Sequence, residues 1–313
     1  MMHVRFMPPF VAFLLFTALL LGAAPGGRAQ DTIAAADSSR IERSTVFKAA
    51  TFTSAYYGAS WFVLGRTWYK DRARVPFHFY NDNRAWLQVD KLGHAFGAYV
   101  YSYTGYRYLQ GTGLNRKEAL LFGGTLGLVL QTPIEIMDGI HEGYGFSWGD
   151  MAANALGSAL VLGQELAFGE QVMKLKFSYW ETSYARNANG LLGSTALERL
   201  LTDYNGHTYW GSVPVNRLWR HDRIPGWLNV AVGYGAKGMY GEFKNLSEYD
   251  GAPLPEAVRY RQFLLSLDLD WTAMETDNRL LGLLLRGMTF IKAPFPAVEY
   301  NSKGQWRGYW LYF

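Results

Sequence analysis

The stretch Asp90-Lys-Leu-Gly-His-Ala-Phe-Gly-Ala-Tyr99 (DKLGHAFGAY) places an aspartate, a lysine and a histidine at the start of an otherwise apolar segment. Asp90 and His94 are four residues apart, so on a helix their side chains lie on the same face. Burying an unpaired charge costs several kcal/mol, so this face should meet other polar groups or line a wet cleft. The stretch therefore predicts a helix with one polar face and polar partners opposite it.

The composition limits the classes of function. The chain has 313 residues, enough for one large domain or two modest ones, with 49% hydrophobic and 18% charged residues. So apolar a chain predicts a large core or a membrane contact. The net charge of +4 is spread along the sequence, which argues against nucleic-acid binding. There is no cysteine, which excludes disulfides, thiolate zinc sites and cysteine nucleophiles.

The N-terminal residues have the pattern of an export signal. His3 and Arg5 precede an apolar run over residues 10–21, and small residues follow up to Gln30. This pattern is typical of a secretory signal peptide, here residues 1–30. A polar, flexible leader is expected over residues 31–44.

Residues 45–172 are predicted to form a helical bundle. Asn115 with Glu118 has the spacing of a capping box, and Ser147 is the predicted N-cap of the last helix. The apolar stretches are at the short end of a membrane span, and small residues such as Gly123 and Gly127 allow close helix packing. A membrane bundle and a tight soluble bundle both remain open.

The rest of the chain is predicted to be richer in strands. Residues 173–226 are expected to form a connector, and residues 227–313 a strand-rich part with one apolar helix. Leucines at 265, 267 and 269 alternate with Ser266, Asp268 and Asp270, which predicts a half-buried strand with the aspartates facing solvent. The fold class is thus mainly α with a smaller α+β C-terminal part: a membrane-associated helical bundle followed by a few antiparallel strands.

Three polar stripes in the helical part are predicted to converge into one polar cluster. Each stripe has helical spacing in an apolar background, and a loop histidine lies between the second and third. The cluster comprises Asp90, Lys91, His94, Gln131, Glu135, Asp138, His141, Asp150 and Asn154.

Three interpretations of this cluster remain open. It can be a buried network that fixes the helix register. It can be a metal site, because His94, Glu135, Asp138, His141 and Asp150 supply nitrogen and oxygen ligands, although no HExxH spacing is present. It can also be a metal-free acid/base site that uses His94 and a carboxylate.

The motifs DKLGH, QTPIEIMDG and FSWGDMAANALGS together resemble the YfiM-like family of bacterial envelope proteins, described as predicted periplasmic lipoproteins. Their order is also similar to that of VanZ-like membrane proteins. The resemblance covers roughly residues 90–169 and implies recurring polar positions at Asp90, Lys91, His94, Glu135, Asp150 and Asn154. It implies no reaction. The chain lacks the cysteine that a lipid anchor would need.

The sequence therefore predicts an exported cell-envelope protein that is structural or lipid-interacting. It would lie in the periplasm or at the periplasmic face of the envelope, and the aromatic ending YWLYF raises contact with the outer membrane as an alternative. A membrane-surface hydrolase or transferase for an envelope lipid or glycan is the alternative function, with His94, Glu135 and Asp150 as catalytic residues. The expected partners are a membrane or envelope lipid, an envelope protein, or a second copy of the chain; the cofactor is open.

Overall fold

The structure is a computed structural model. It describes residues 72–219, 223–274 and 276–313, together with residues 51, 54, 57, 58, 62 and 69. The predicted signal peptide (1–30) and leader (31–44) lie outside the described residues, as does most of the helix expected over residues 45–69. Contacts divide the chain into two compact units, one containing residues 97–167 and the other residues 82–96 and 168–313.

Four longer helices follow one another among the described residues of the first half of the chain. Asn115 caps the second, since its side chain accepts a hydrogen bond from the Glu118 amide at 2.9 Å. A break at Thr125 separates the second helix from the third. The helices are α1 (Val89–Gly111), α2 (Arg116–Gly124), α3 (Leu126–Asp138) and α4 (Trp148–Phe168).

Two buried serines bind the first turn of α3. The Gly127 amide donates to the Ser102 hydroxyl at 3.0 Å, and the Leu128 amide donates to the Ser158 hydroxyl at 2.9 Å. These amides have no partner within their own helix, because the first turn lacks preceding carbonyls. The two serines are themselves 2.9 Å apart. Residues of α1 and α4 thus cap α3, which ties the three helices at one point.

The second half of the chain is built on a six-stranded antiparallel sheet of order β1-β2-β3-β6-β7-β8, with a separate two-stranded ribbon, β4-β5. Two of its strands, β1 and β2, lie within the predicted connector, residues 173–226. The strands are β1 (Lys174–Tyr179), β2 (His207–Pro214), β3 (Leu228–Lys237), β4 (Glu248–Tyr249), β5 (Ala252–Pro253), β6 (Tyr260–Leu269), β7 (Phe295–Asn301) and β8 (Trp306–Tyr312).

Short helices connect these strands: α5 (Ser183–Arg186), α6 (Ala196–Thr202), α7 (Val215–Trp219) and α8 (Arg279–Gly287). Helix α8 is the apolar helix that the sequence predicts in this part. The four longer helices precede the sheet along the chain. The predicted order of a helical part and a strand-containing C-terminal part is therefore confirmed. The sheet is larger than the few strands expected.

The sheet is strongly curved. The Tyr312 hydroxyl on β8 lies 3.1 Å from the Thr208 hydroxyl on β2, and the Tyr312 ring contacts Trp210 with centroids 5.8 Å apart. Three strands separate β2 from β8 in the sheet order, and in a flat sheet they would be about 19 Å apart. The sheet must therefore curl so that its concave face encloses these side chains.

The alternation of β6 is correctly predicted, but its direction is wrong. Asp268 and Asp270 are buried, whereas Leu265 and Leu267 are exposed. The aspartates point into the concave face because they pair there with lysines of β1. Lys174 Nζ lies 2.6 Å from Asp270, and Lys176 pairs with Asp268. Alternation defines two faces of a strand but does not say which one is inside.

One helical stretch of the described residues, Arg116–Asp138, is long and apolar enough to cross a membrane by length and composition. A third of its apolar window is buried within the protein. A core helix of a protein that never enters a membrane can have the same length and composition, so this stretch alone carries no conclusion about membrane insertion.

Candidate functional site

A left-handed turn precedes α1 and sets the direction of its polar face. Trp86, Leu87 and Gln88 have φ values of +46°, +52° and +67°. Left-handed backbone costs about 1–2 kcal/mol per residue for side chains other than glycine. Three such residues in succession persist only where surrounding contacts impose them, and such strain concentrates at functional sites.

Residues of the sheet unit hold this turn. The Trp86 amide donates to the Glu242 carbonyl at 2.8 Å, and its ring lies against Tyr204 with centroids 5.0 Å apart. The Tyr234 hydroxyl donates to the Leu87 carbonyl at 2.5 Å. The turn, and with it the start of α1, is therefore fixed by partners far away in the sequence.

The first turn of α1 carries a closed charge network. Lys91 Nζ lies 2.7 Å from the Asp82 carboxylate and 3.2 Å from that of Asp90. The Tyr204 hydroxyl donates to the other oxygen of Asp90 at 2.9 Å. One lysine thus serves two carboxylates, and Asp90 is held by its neighbour Lys91 and by the distant Tyr204.

His94 lies one turn beyond Asp90 and is partly exposed. The residue before it, Gly93, allows α1 to approach the sheet, because a Cβ there would lie 2.9 Å from the Tyr209 hydroxyl. Burial, and next the charge of Asp90, raises the pKa of Tyr209 above its ordinary value. Tyr209 therefore stays protonated and neutral at physiological pH.

The carboxylates of α3 and α4 are buried. Glu135 is 1% exposed and accepts a hydrogen bond from the Ser147 amide at 3.4 Å. The Ser147 hydroxyl accepts from the Asp150 amide at 3.1 Å, which is the N-cap bond that the sequence predicts. Glu135 therefore stabilises the turn that starts α4 and places Asp150 in its first turn.

Gln131 and Asn154, the two amides of the predicted cluster, are buried as well. Gln131 lies against α1, where a Cβ at Gly97 would come within 3.0 Å of its Oε1. Asn154 has no exposed surface and follows Asp150 by one helical turn. The predicted amides are thus part of the helix packing.

Asp138 and His141 have their own partners. The Tyr69 hydroxyl donates to Asp138 at 2.5 Å, and the Tyr69 ring stacks on the His141 ring with centroids 4.3 Å apart. His141 Nδ1 lies 2.7 Å from the Met137 carbonyl, to which it donates as the protonated tautomer. Burial, and next the charge of Asp138, raises the pKa of Tyr69.

The predicted metal ligands are divided between the two compact units. His94 lies in the unit that contains residues 82–96, whereas Glu135, Asp138, His141 and Asp150 lie in the unit that contains residues 97–167. Their nitrogen and oxygen donors are of the types that zinc and manganese accept.

The contacts of Asp90 bear on whether it could bind a metal. Its carboxylate is already bound by Lys91 and Tyr204. Lys91 also pairs with Asp82, so one lysine serves two carboxylates and a cation at Asp90 would have to compete with it. The donors fit a metal by type.

A comparison with known families gives one match. Residues 78–163 match the model of a family described as "Predicted periplasmic lipoprotein (DUF2279)". This description supports an exported, periplasmic location and names no activity. The finer YfiM-like and VanZ-like likenesses are not confirmed by it. No curated protein and no solved structure matches the chain.

The sequence did not reveal several members of the site. Asp82 and Tyr204 complete the network around Lys91 and Asp90, and both come from outside the helical stripes. Residues 81–83 (NDN) have the composition of a turn or helix cap and carry no signal of a charge network. Tyr204 has no local signal, because its partner lies 114 residues earlier.

Proposed function

We propose that the chain is a non-enzymatic protein of the cell envelope, and that its polar residues serve its architecture. One observation carries this: Glu135, Asp150 and Asn154, three of the polar residues of α3 and α4, are buried. An enzyme would have to expose such groups to substrate. Any contact with lipid or with another protein would then be made by the surface of the molecule and not by these polar residues.

The bonds of these residues support the same proposal. Glu135 accepts from the Ser147 amide at the start of α4, and Asp138 accepts from Tyr69. Each contact fixes a helix end or a helix neighbour. Buried polar groups with such partners favour one packing arrangement, because any shift of register leaves a polar group without its bond.

The test compares Glu135→Gln with Glu256→Gln, a matched control at an exposed carboxylate. We expect Glu135→Gln to lower the free energy of unfolding by about 1–3 kcal/mol, because the Ser147 amide loses a charged acceptor. The control should change it by less than about 0.5 kcal/mol. Urea unfolding followed by circular dichroism measures both. An unchanged stability of Glu135→Gln would contradict the architectural role.

A second candidate is a cation-dependent hydrolase or transferase that acts on an envelope lipid or glycan. It is favoured by Asp90 and His94, which lie one turn apart on the same face of α1. His94 would act as base or metal ligand, and Glu135 and Asp150 would orient the histidine or hold the ion. A bound metal would polarise a substrate oxygen or lower the pKa of a bound water.

Elemental analysis of the purified chain separates the two candidates. The architectural proposal expects less than stoichiometric metal in the wild type and the same content in His94→Ala. Stoichiometric zinc or manganese that disappears in His94→Ala and Asp90→Asn would instead support the second candidate. His78→Ala is the matched control, since His78 binds only backbone carbonyls of Pro76 and Tyr144 in its described contacts.

A further inference from the structure

The concave face of the curved sheet combines a small apolar cluster around Trp210 and Leu264 with buried charged groups. The concave face holds the ion pair of Lys176 with Asp268, whose charged atoms are 2.7 Å apart and whose side chains have no exposed surface. It also holds Glu299, which accepts from Gln262 at 2.5 Å and from the Tyr309 hydroxyl at 2.6 Å. The convex face is apolar. Strands that are polar inside and apolar outside are the pattern of proteins whose outer surface meets lipid.

Aromatic residues form a continuous row across the convex face. At this level of the sheet every strand contributes one aromatic side chain, and each residue is paired directly with the next. Phe96 of α1 covers the first two, at centroid distances of 5.9 and 5.7 Å. The row consists of Phe177, Tyr209, Tyr234, Phe263, Tyr300 and Trp306.

An aliphatic band lies beside the aromatic row. Two positions further along the strands, Val232 pairs with Leu265, and Leu265 pairs with Val298. In the next row, Val230 pairs with Leu267. Leu265 is 54% exposed, and Trp310, at the edge of the same band, is 93% exposed. From residue 265 to residue 269 the band extends about 14 Å along β6.

Positive charge lies on the other side of the aromatic row. Arg261 precedes Phe263 by two residues on the same face, and Lys303 is exposed in the turn that joins β7 to β8 at this end of the strands. The acidic residues of β6 and β7, Asp268 and Glu299, are buried on the concave side. Cation, aromatic and aliphatic groups therefore follow one another in one direction along the strands.

We propose that this convex face, the exposed surface of β6, β7 and β8, docks onto a phospholipid bilayer. The order of its bands matches that of an anionic leaflet: cations suit the headgroups, Tyr and Trp suit the interface, and aliphatic side chains suit the acyl chains. The strands would run towards the membrane interior from their Arg261 end. A protein partner does not require this order. The proposal rests on the proposed function, since it needs an envelope protein that acts through its surface.

The test is flotation of the full purified chain with vesicles of phosphatidylethanolamine and phosphatidylglycerol, and with vesicles of phosphatidylcholine. The face variant is Leu265→Gln/Val298→Gln/Trp310→Gln. Its matched control is Leu156→Gln/Leu166→Gln/Phe168→Gln, which removes three exposed apolar side chains of α4. A charge variant, Arg261→Gln/Lys303→Gln, tests the headgroup contact. Circular dichroism verifies that each variant is folded.

We expect the wild type and the α4 control to float with the anionic vesicles. The face variant should partition at least tenfold more weakly, and the charge variant should lose its preference for anionic over zwitterionic vesicles. A wild type that stays in the soluble fraction, or face and α4 variants that float equally, would overturn the proposal. So would a wild-type dimer that the face variant makes monomeric in light scattering, because a second copy would then cover the face.

These outcomes are independent of the architectural proposal. Metal content and the stability of Glu135→Gln test the polar residues of the helices, whereas flotation tests a surface made by strands alone. A chain that fails to float can still have an architectural cluster. A chain that binds a metal at His94 can still dock through the sheet.

Discussion

Replacing Lys176 by methionine would remove the cation from the most enclosed ion pair of the sheet. Lys176 Nζ lies 2.7 Å from Asp268 and donates to the Leu269 carbonyl at 2.5 Å. Burial lowers the pKa of Lys176 in spite of the neighbouring carboxylate, so the interior already disfavours the charge. Methionine has a similar length and no charge, and the change therefore isolates the electrostatic part.

The magnitude follows from what remains around Asp268. Removing one member of a buried pair costs about 3–5 kcal/mol, because the other charge stays behind. Asp268 would keep the Ser212 hydroxyl at 2.6 Å and the Ala293 amide at 2.9 Å. These two donors place the expected loss in the free energy of unfolding at about 3 kcal/mol, the lower end of that range.

Urea unfolding followed by tryptophan fluorescence at pH 7 measures this loss. The exposed Lys303→Met is the matched control and should change stability by less than about 0.5 kcal/mol. The double variant Lys176→Met/Asp268→Asn should be more stable than Lys176→Met alone, because the carboxylate that lost its lysine is removed as well. A loss below about 1 kcal/mol for Lys176→Met would mean that water reaches the pair, and the concave face would then not be an enclosed polar interior.

Three further predictions concern pH, packing and capping. Burial lowers the pKa of His207 to about 4, below its ordinary 6.5. As the pH falls, His207 is therefore protonated in the unfolded chain before it is protonated in the folded chain, and the free energy of unfolding decreases between pH 6.5 and pH 4. His207→Gln should reduce the difference between melting temperatures at pH 7 and pH 4.5. Gly127→Ala should cost more than about 2 kcal/mol in urea unfolding, because its Cβ would overlap the Ala98 carbonyl. Gly163→Ala, which meets no atom within 4 Å, should stabilise the same helix bundle region by about 0.5–1 kcal/mol. Asn115→Ala should lower the melting temperature through the loss of about 1 kcal/mol of capping; equal melting temperatures would contradict the cap.

Local signals made part of the fold predictable. Helix caps depend on residues three positions apart, so Asn115 and Ser147 could be recognised without knowledge of the rest of the chain. The alternation of β6 was equally visible. Strands β1 and β2 were missed because their inward positions are polar. In β1, Lys174, Lys176 and Ser178 occupy the buried side. A run with such polar residues is predicted to be exposed to solvent if only apolar residues are expected to be buried.

The site was predictable only where its members share one helix. Asp90 and His94 lie on a common face by helical periodicity, and the stripes of α3 and α4 follow the same rule. Tyr204 and Asp82 reach Asp90 and Lys91 through the tertiary fold. The left-handed turn at residues 86–88 contains no glycine or asparagine, the residues that usually signal positive φ. Its conformation is imposed by the sheet, so local sequence cannot report it.

The buried charged groups of the concave face are better explained by the apolar convex face of the same strands than by a contribution to the free energy of unfolding. A buried ion pair is weak evidence for stability, because well-packed apolar residues often replace it at no cost. A strand must alternate to fix its register, since a one-residue slip exchanges its two faces. If the convex face has to be apolar, the two faces differ only when part of the inward positions are polar, and enclosed polar groups have to be paired. Lys176 with Asp268, and Glu299 with Gln262, meet this demand. The buried charges therefore follow from the apolar surface, and the surface is where the function of this unit has to be sought.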